Sequence, residues 1–197
     1  SPTRPEHVIK DLYGKIDIII DGGETEIGLE STVLSLASMP PMILRPGGVT
    51  LEQLREEIGE VKLHPVVLAE KELDNILAQS PGMKYRHYAP KAELILVQGD
   101  RPKVKKKIRE LLEKYAKAGV RVGVLYTGKT GYGVGEEISL GETGDLIEVA
   151  RNLFASLREL DERGVEVIIA EGVEEHGLGL AIMNRLKKAS SGRIIKV

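Results

Sequence analysis

From residue 94 to the end of the chain, short apolar runs alternate with longer amphipathic stretches. Leu94-Ile95-Leu96-Val97 is followed by a helical pattern over 102–117, a strand over 120–126, a helix over 143–163, a strand over 165–170, a helix through 181–189 and a closing strand over 193–197. A strand that is apolar at every position has both faces buried, which is the situation of a mostly parallel sheet covered by helices on each side. The order predicts a compact α/β domain over 93–197. No repeat of 20–50 residues and no low-complexity segment interrupts it.

Residues 1–60 follow a different rhythm. Thr3 is placed to cap a helix over 4–12, with Pro5 in the first turn and Glu6 completing a capping box. The β-branched run Ile16-Asp17-Ile18-Ile19-Ile20 reads as a strand ended by Asp21-Gly22-Gly23, and 31–36 and 42–45 read as two more, the last closed by Pro46-Gly47-Gly48. Thr50 then caps a helix whose apolar face is Leu51, Leu54 and Ile58. This is an α+β piece. Between 61 and 92 the periodicity weakens and Pro65, Pro81 and Pro90 punctuate the chain, so a linker is expected there. The chain opens on Ser1-Pro2-Thr3 without an initiator Met, and reads as cut from a longer one.

Composition excludes several classes. With 28 basic and 30 acidic residues the net charge is −2, so no global field draws the chain onto nucleic acid or an anionic membrane. The absence of cysteine removes disulfides, thiol nucleophiles and thiolate metal ligands, and fits a reducing cytosol. No apolar run approaches the ~20 residues of a membrane span. A cytoplasmic protein is expected.

Four places carry chemical promise. Within 80–90, Lys84, Tyr85, Arg86, His87 and Tyr88 crowd together in a chain that is only 4% aromatic, and Gly and Pro at the ends keep them out of helix and sheet. Cations and rings on an irregular backbone suit a nucleotide, although a linker whose tyrosines pack on its neighbours explains the run equally well. Arg45 precedes a Gly-rich turn, where a planar guanidinium and close backbone N–H groups match a phosphate or carboxylate. Ser31, in Glu30-Ser31-Thr32, offers a hydroxyl for a carboxylate or amino group, or else closes a turn. Ser1 sits at a helix entrance, beside a positive dipole end or simply in its cap.

Other features are weaker. Gly128, Gly131 and Gly133 follow a strand but lack the G-x-G-x-x-G spacing and lead into a short strand in place of a helix. The segment 172–185, with His176 and Asn184-Arg185, is best read as a tight turn capping the last helix. His7 and His64 have no partners at metal-ligand spacing, so no metal site is expected.

Ser1-Pro2-Thr3, Glu30-Ser31-Thr32-Val33, Leu44-Arg45-Pro46-Gly47-Gly48, the run Ser80-Pro81-Gly82-Met83-Lys84-Tyr85-Arg86-His87-Tyr88-Ala89-Pro90, and Gly177-Leu178-Gly179-Leu180-Ala181-Ile182-Met183-Asn184-Arg185-Leu186 occur in a telling order. It is the order of the archaeal-type two-domain threonylcarbamoyl-AMP synthases, which the chain resembles over its whole length. The resemblance implies the C-terminal part of a YrdC-like α+β catalytic domain at 1–60, an extended linker at 61–92 and a small Rossmann-like three-layer α/β domain at 93–197. It also implies a nucleotidyltransferase that makes L-threonylcarbamoyladenylate and pyrophosphate from ATP, L-threonine and bicarbonate. The product would pass to the tRNA threonylcarbamoyl transferase machinery.

Carried over by motif, Ser31 is a threonine contact, Ser1, Arg45 and His87 are ATP contacts, and Lys84, Tyr85 and Tyr88 are second choices on the linker. No catalytic residue is assigned. Mg²⁺ would be held through the ATP phosphates, and a monomer that binds neither membrane nor tRNA directly is expected. The N-terminal part of the family's YrdC-like domain has no counterpart here, which implies that these 197 residues alone do not make the adenylate. The alternative is a non-catalytic α/β module that docks a partner enzyme or RNA.

Overall fold

The computed structural model describes residues 1–69 and 89–197. Its larger part is a five-stranded, fully parallel sheet in the order β6-β5-β7-β4-β8, built from β4 (Glu93–Gln98), β5 (Val122–Tyr126), β6 (Glu137–Ser139), β7 (Val167–Glu171) and β8 (Ile194–Lys196). Successive side chains of a strand point to opposite faces. Leu94 and Leu96 of β4 therefore join Leu125, Ile168 and Ala170 under α5 (Leu146–Glu162) and α6 (Leu178–Ser190). Ile95 and Val97 join Val124, Val167 and Ile169 on the other face, under α4 (Arg101–Lys117). Burying one such side chain contributes about 1.5–3 kcal/mol, and the helix–sheet–helix sandwich is the arrangement that gains it on both faces.

The smaller part holds α1 (Pro5–Leu12) and a three-stranded sheet in which β1 (Val33–Ser35) runs antiparallel to β2 (Met42–Arg45) and β3 (Lys62–Leu63) runs parallel to it. Between β2 and β3 lies α2 (Leu51–Ile58), and α3 (Pro65–Leu68) follows. The expected cap of α2 is present as a full capping box: the Gln53 N–H donates to Thr50 Oγ1 at 3.3 Å, and the Thr50 N–H donates to Gln53 Oε1 at 2.9 Å. Both β3 and α3 fall in the stretch 61–92 that sequence periodicity reads as linker.

Two local expectations are corrected. Residues 16–20 are not a strand: Ile18 and Ile20 are 79% and 89% exposed, and no described strand pairs with them. Their β-branched composition gives propensity, but a strand needs a neighbour to take its hydrogen bonds. Thr3 does not cap α1, whose N-cap is Arg4 with no side-chain cap bond. Thr3 is buried instead, and its N–H donates to His7 Nδ1 at 3.0 Å.

The two parts are sewn together by α5 and α6. Arg158 donates from both terminal nitrogens to Asp11, at 3.0 and 2.6 Å, and Arg151 Nε donates to the Glu26 carbonyl at 2.9 Å. Gly28 lies against the α5 backbone: a Cβ there would come within 2.5 Å of Arg151 Cα, and its φ of +75° is one that glycine adopts readily. Among the described residues no helix is long and apolar enough to cross a membrane.

Candidate functional site

The turn after β2 builds one wall of the site. A Cβ at Gly47 would lie 2.4 Å from the Glu30 carbonyl oxygen and from the Thr32 nitrogen, so only glycine lets this turn press against the backbone of 30–32. That approach brings together two residues singled out from sequence. Arg45 Nε donates to the Ser31 carbonyl at 3.0 Å, and its terminal nitrogen donates to Ser31 Oγ at 3.2 Å. The guanidinium is thereby held in one plane, with its remaining N–H groups available to an anion.

Ser1 joins the same cluster through Glu30. Its hydroxyl donates to Glu30 Oε1, and the other carboxylate oxygen accepts from Arg185 Nε at 2.6 Å. Arg185 belongs to α6 and is buried; it also donates to the Pro46 carbonyl at 3.0 Å and to Asn184 Oδ1 at 2.9 Å. Asn184 in turn donates to the Val67 carbonyl at 3.2 Å. Burial pushes the Glu30 carboxyl up, but the Arg185 charge and the hydrogen bonds from Ser1 and Arg185 outweigh it and hold the group below the usual carboxylate range.

One turn further along α6, Lys188 has its pKa lowered to about 8, first by burial and then by the charges of Arg185 and Arg45. Arg45, Arg185 and Lys188 therefore share a neighbourhood with the Glu30 carboxylate. Two guanidinium groups and an amine near a glycine turn, beside a serine hydroxyl, are chemistry for a phosphate or carboxylate ligand. Among the described residues no group of three or more His, Asp or Glu could hold a metal ion.

Arg185 and Lys188 are absent from the set of site residues that the sequence suggests, and the turn-capping reading of 172–185 covers only part of that segment. Gly177 does start α6, whereas Arg185, two turns on, reaches the site. The available signal was the spacing of Arg185 and Lys188, three apart and hence on one helical face. Of the remaining expected contacts, Lys84, Tyr85, His87 and Tyr88 lie outside the described residues. The glycines near 128–133 lead into β6, as expected, and not into a nucleotide-binding helix.

Comparison with known proteins bears on this arrangement. Residues 49–191, most of the chain, match the family model for the threonylcarbamoyl-AMP synthase C-terminal domain. The chain belongs to this family. Residues 1–47 match the Sua5-yciO-yrdC model, described as telomere recombination. Over the whole chain it is 56% identical to the threonylcarbamoyl-AMP synthase of Pyrococcus abyssi and 46% identical to that of Bacillus subtilis, covering 56% and 55% of those proteins. The crystal structure of P. abyssi Sua5 complexed with L-threonine superposes with a TM-score of 0.92 at 55% identity, over all of this chain and 56% of that one. The chain thus spans about half the length of the threonylcarbamoyl-AMP synthases it matches, and the fold expected from the resemblance is the fold observed.

Proposed function

We propose that the intact protein is an L-threonylcarbamoyladenylate synthase, which forms threonylcarbamoyl-AMP and pyrophosphate from ATP, L-threonine and bicarbonate. The observation that carries this reading is the contact of Arg45 with Ser31, which sets a guanidinium suited to phosphate beside a hydroxyl suited to an amino acid in a single cluster. L-threonine in the P. abyssi complex supports the amino-acid half. In this reading Ser31 contacts threonine, Ser1 and Arg45 contact ATP, and His87, with Lys84, Tyr85 and Tyr88 as second choices, is assigned to ATP by the family motif. The division of labour among 1–60, 61–92 and 93–197 is that of catalytic part, linker and Rossmann-like domain.

The chemistry follows from charge. An oxygen of N-carboxylated threonine attacks the α-phosphorus, an O–P bond forms, and the bond to pyrophosphate breaks with the electrons leaving on its oxygen. Arg45 and Lys188 offset the charge that builds on the phosphates, and fixed donors of this kind need no reorganisation as the reaction proceeds. Glu30 is committed to Arg185 and Ser1, and Mg²⁺ accompanying ATP would be held through the phosphate oxygens. The protein would act as a cytoplasmic monomer and pass the adenylate to the tRNA threonylcarbamoyl transferase machinery.

The test is threonine- and bicarbonate-dependent pyrophosphate release by the intact protein. Arg45→Ala is expected to slow it by about 10²-fold or more, the usual effect of removing one charge-stabilising donor, and Ser31→Ala to raise the KM for threonine. Release that needs no threonine, or wild-type rates in both variants, would overturn the reading.

A further inference from the structure

The α/β domain contains a crevice that the cluster around Arg45 does not use. It has a volume of about 770 Å³, within the range of small-molecule sites, and opens at the carboxyl ends of β4, β5 and β7. Its location has a topological cause. β4 and β7 are neighbours, but β4 continues into α4 on one face of the sheet, toward β5, whereas β7 continues into α6 on the other face, toward β8. Chain segments that leave adjacent strands in opposite directions part to form a cleft, and ligands of open parallel sheets bind in such clefts.

The two ends of the crevice differ chemically. At one end Arg101, the first residue of α4, donates to the Thr127 carbonyl at 3.1 Å and to Thr143 Oγ1 at 2.6 Å. Both acceptors are neutral oxygens, so the guanidinium is positioned without being neutralised by them. The Asp100 side chain makes no cap bond, leaving the first N–H groups of the 17-residue α4 without a side-chain acceptor. At the other end, between β4 and β7, the partly buried Gln98 lines the crevice, and its Oε1 has no hydrogen-bond partner. Leu146, Val149 and Met183 give the crevice an apolar wall. Glu171 lies beneath, already satisfied by the Thr127 N–H at 3.0 Å, the Thr127 hydroxyl and the Tyr132 hydroxyl, so it braces the Thr127 loop.

From this geometry we infer a second small-molecule site at the carboxyl ends of β4, β5 and β7, suited to a nucleoside monophosphate. The phosphate sits at Arg101 and the start of α4, and the base lies on the apolar wall, toward Gln98. The site is separate from the proposed synthase site and does not depend on that reading.

Methyl-labelled methionine NMR resolves the two, because Met183 lines this crevice and Met42 lies in β2 near Arg45. AMP added to the protein is expected to shift the Met183 methyl signal with saturation. Arg101→Ala should weaken that response by roughly 10- to 100-fold, the loss of a charge-assisted contact, whereas Arg45→Ala should leave it in place. No Met183 shift with AMP, an undiminished response in Arg101→Ala, or loss of the response in Arg45→Ala would each overturn the inference. Inorganic phosphate and adenosine alone should each bind at least ~10-fold more weakly than AMP; phosphate binding as well as AMP would overturn the nucleotide assignment.

Discussion

Arg185 Nε donates to Glu30 Oε2 at 2.6 Å, joining residues 155 positions apart in sequence, and the two side chains are 4% and 15% exposed. The pair sits beside Ser31 and closes the seam between the two parts of the molecule. Removing one partner of a buried pair leaves an uncompensated charge, which typically costs about 3–5 kcal/mol, whereas replacing both by apolar groups costs far less. Arg185→Met should therefore lower the urea midpoint substantially, and the double variant Arg185→Met/Glu30→Leu should recover part of the loss. A double variant as unstable as the sum of the single ones would contradict this.

Glu30 also predicts an acid response. Its folded pKa lies below the ordinary carboxylate value, so its contribution to stability is fully present above that value and is lost as pH falls through the folded pKa. Thermal melting from pH 6 downward should fall more steeply in the native protein than in Glu30→Gln, with the difference confined to the region below about pH 4.5.

Lys188 titrates in the opposite sense. A lysine pKa lowered to about 8 means that the folded state holds fewer protons than the unfolded one between about 8 and the ordinary value near 10.4, so Lys188's contribution to stability becomes more favourable as pH rises through that window. The charged form is the one that binds an anion. Affinity for pyrophosphate, measured calorimetrically, should decline as pH rises through about 8, and Lys188→Met should abolish that pH dependence while weakening binding below it.

Gly47→Ala tests the wall of the site. Its Cβ would meet the backbone of residues 30–32, which cannot swing aside as a flexible side chain would. The expected loss is about 1–3 kcal/mol or more, as for other overpacked positions. A rise in the KM for threonine should accompany it, because the turn and Ser31 are forced apart.

The parallel sheet was legible because its central strands are buried on both faces, and such strands are continuous apolar runs whatever surrounds them. The run Ile16-Asp17-Ile18-Ile19-Ile20 misled for the complementary reason: β-branched residues show preference, and no described strand supplies a partner. β3 is two residues long, paired among the described strands with β2 alone, and has too few positions to display a period. At the site, Ser31 and Arg45 were visible through local turn chemistry, since glycine and proline mark where a backbone bends. Arg185 and Lys188 were not, because their partners come from the other end of the chain and a helix carries no local mark of what its face will touch.

The placement of Arg185 on α6 has an electrostatic consequence. The helix that completes the core of the larger sheet is also the source of two of the cations around Ser31. Pulling the halves apart would strip those two cations away and leave Arg45 beside the Glu30 carboxylate, weakening the pull of that corner on an anion.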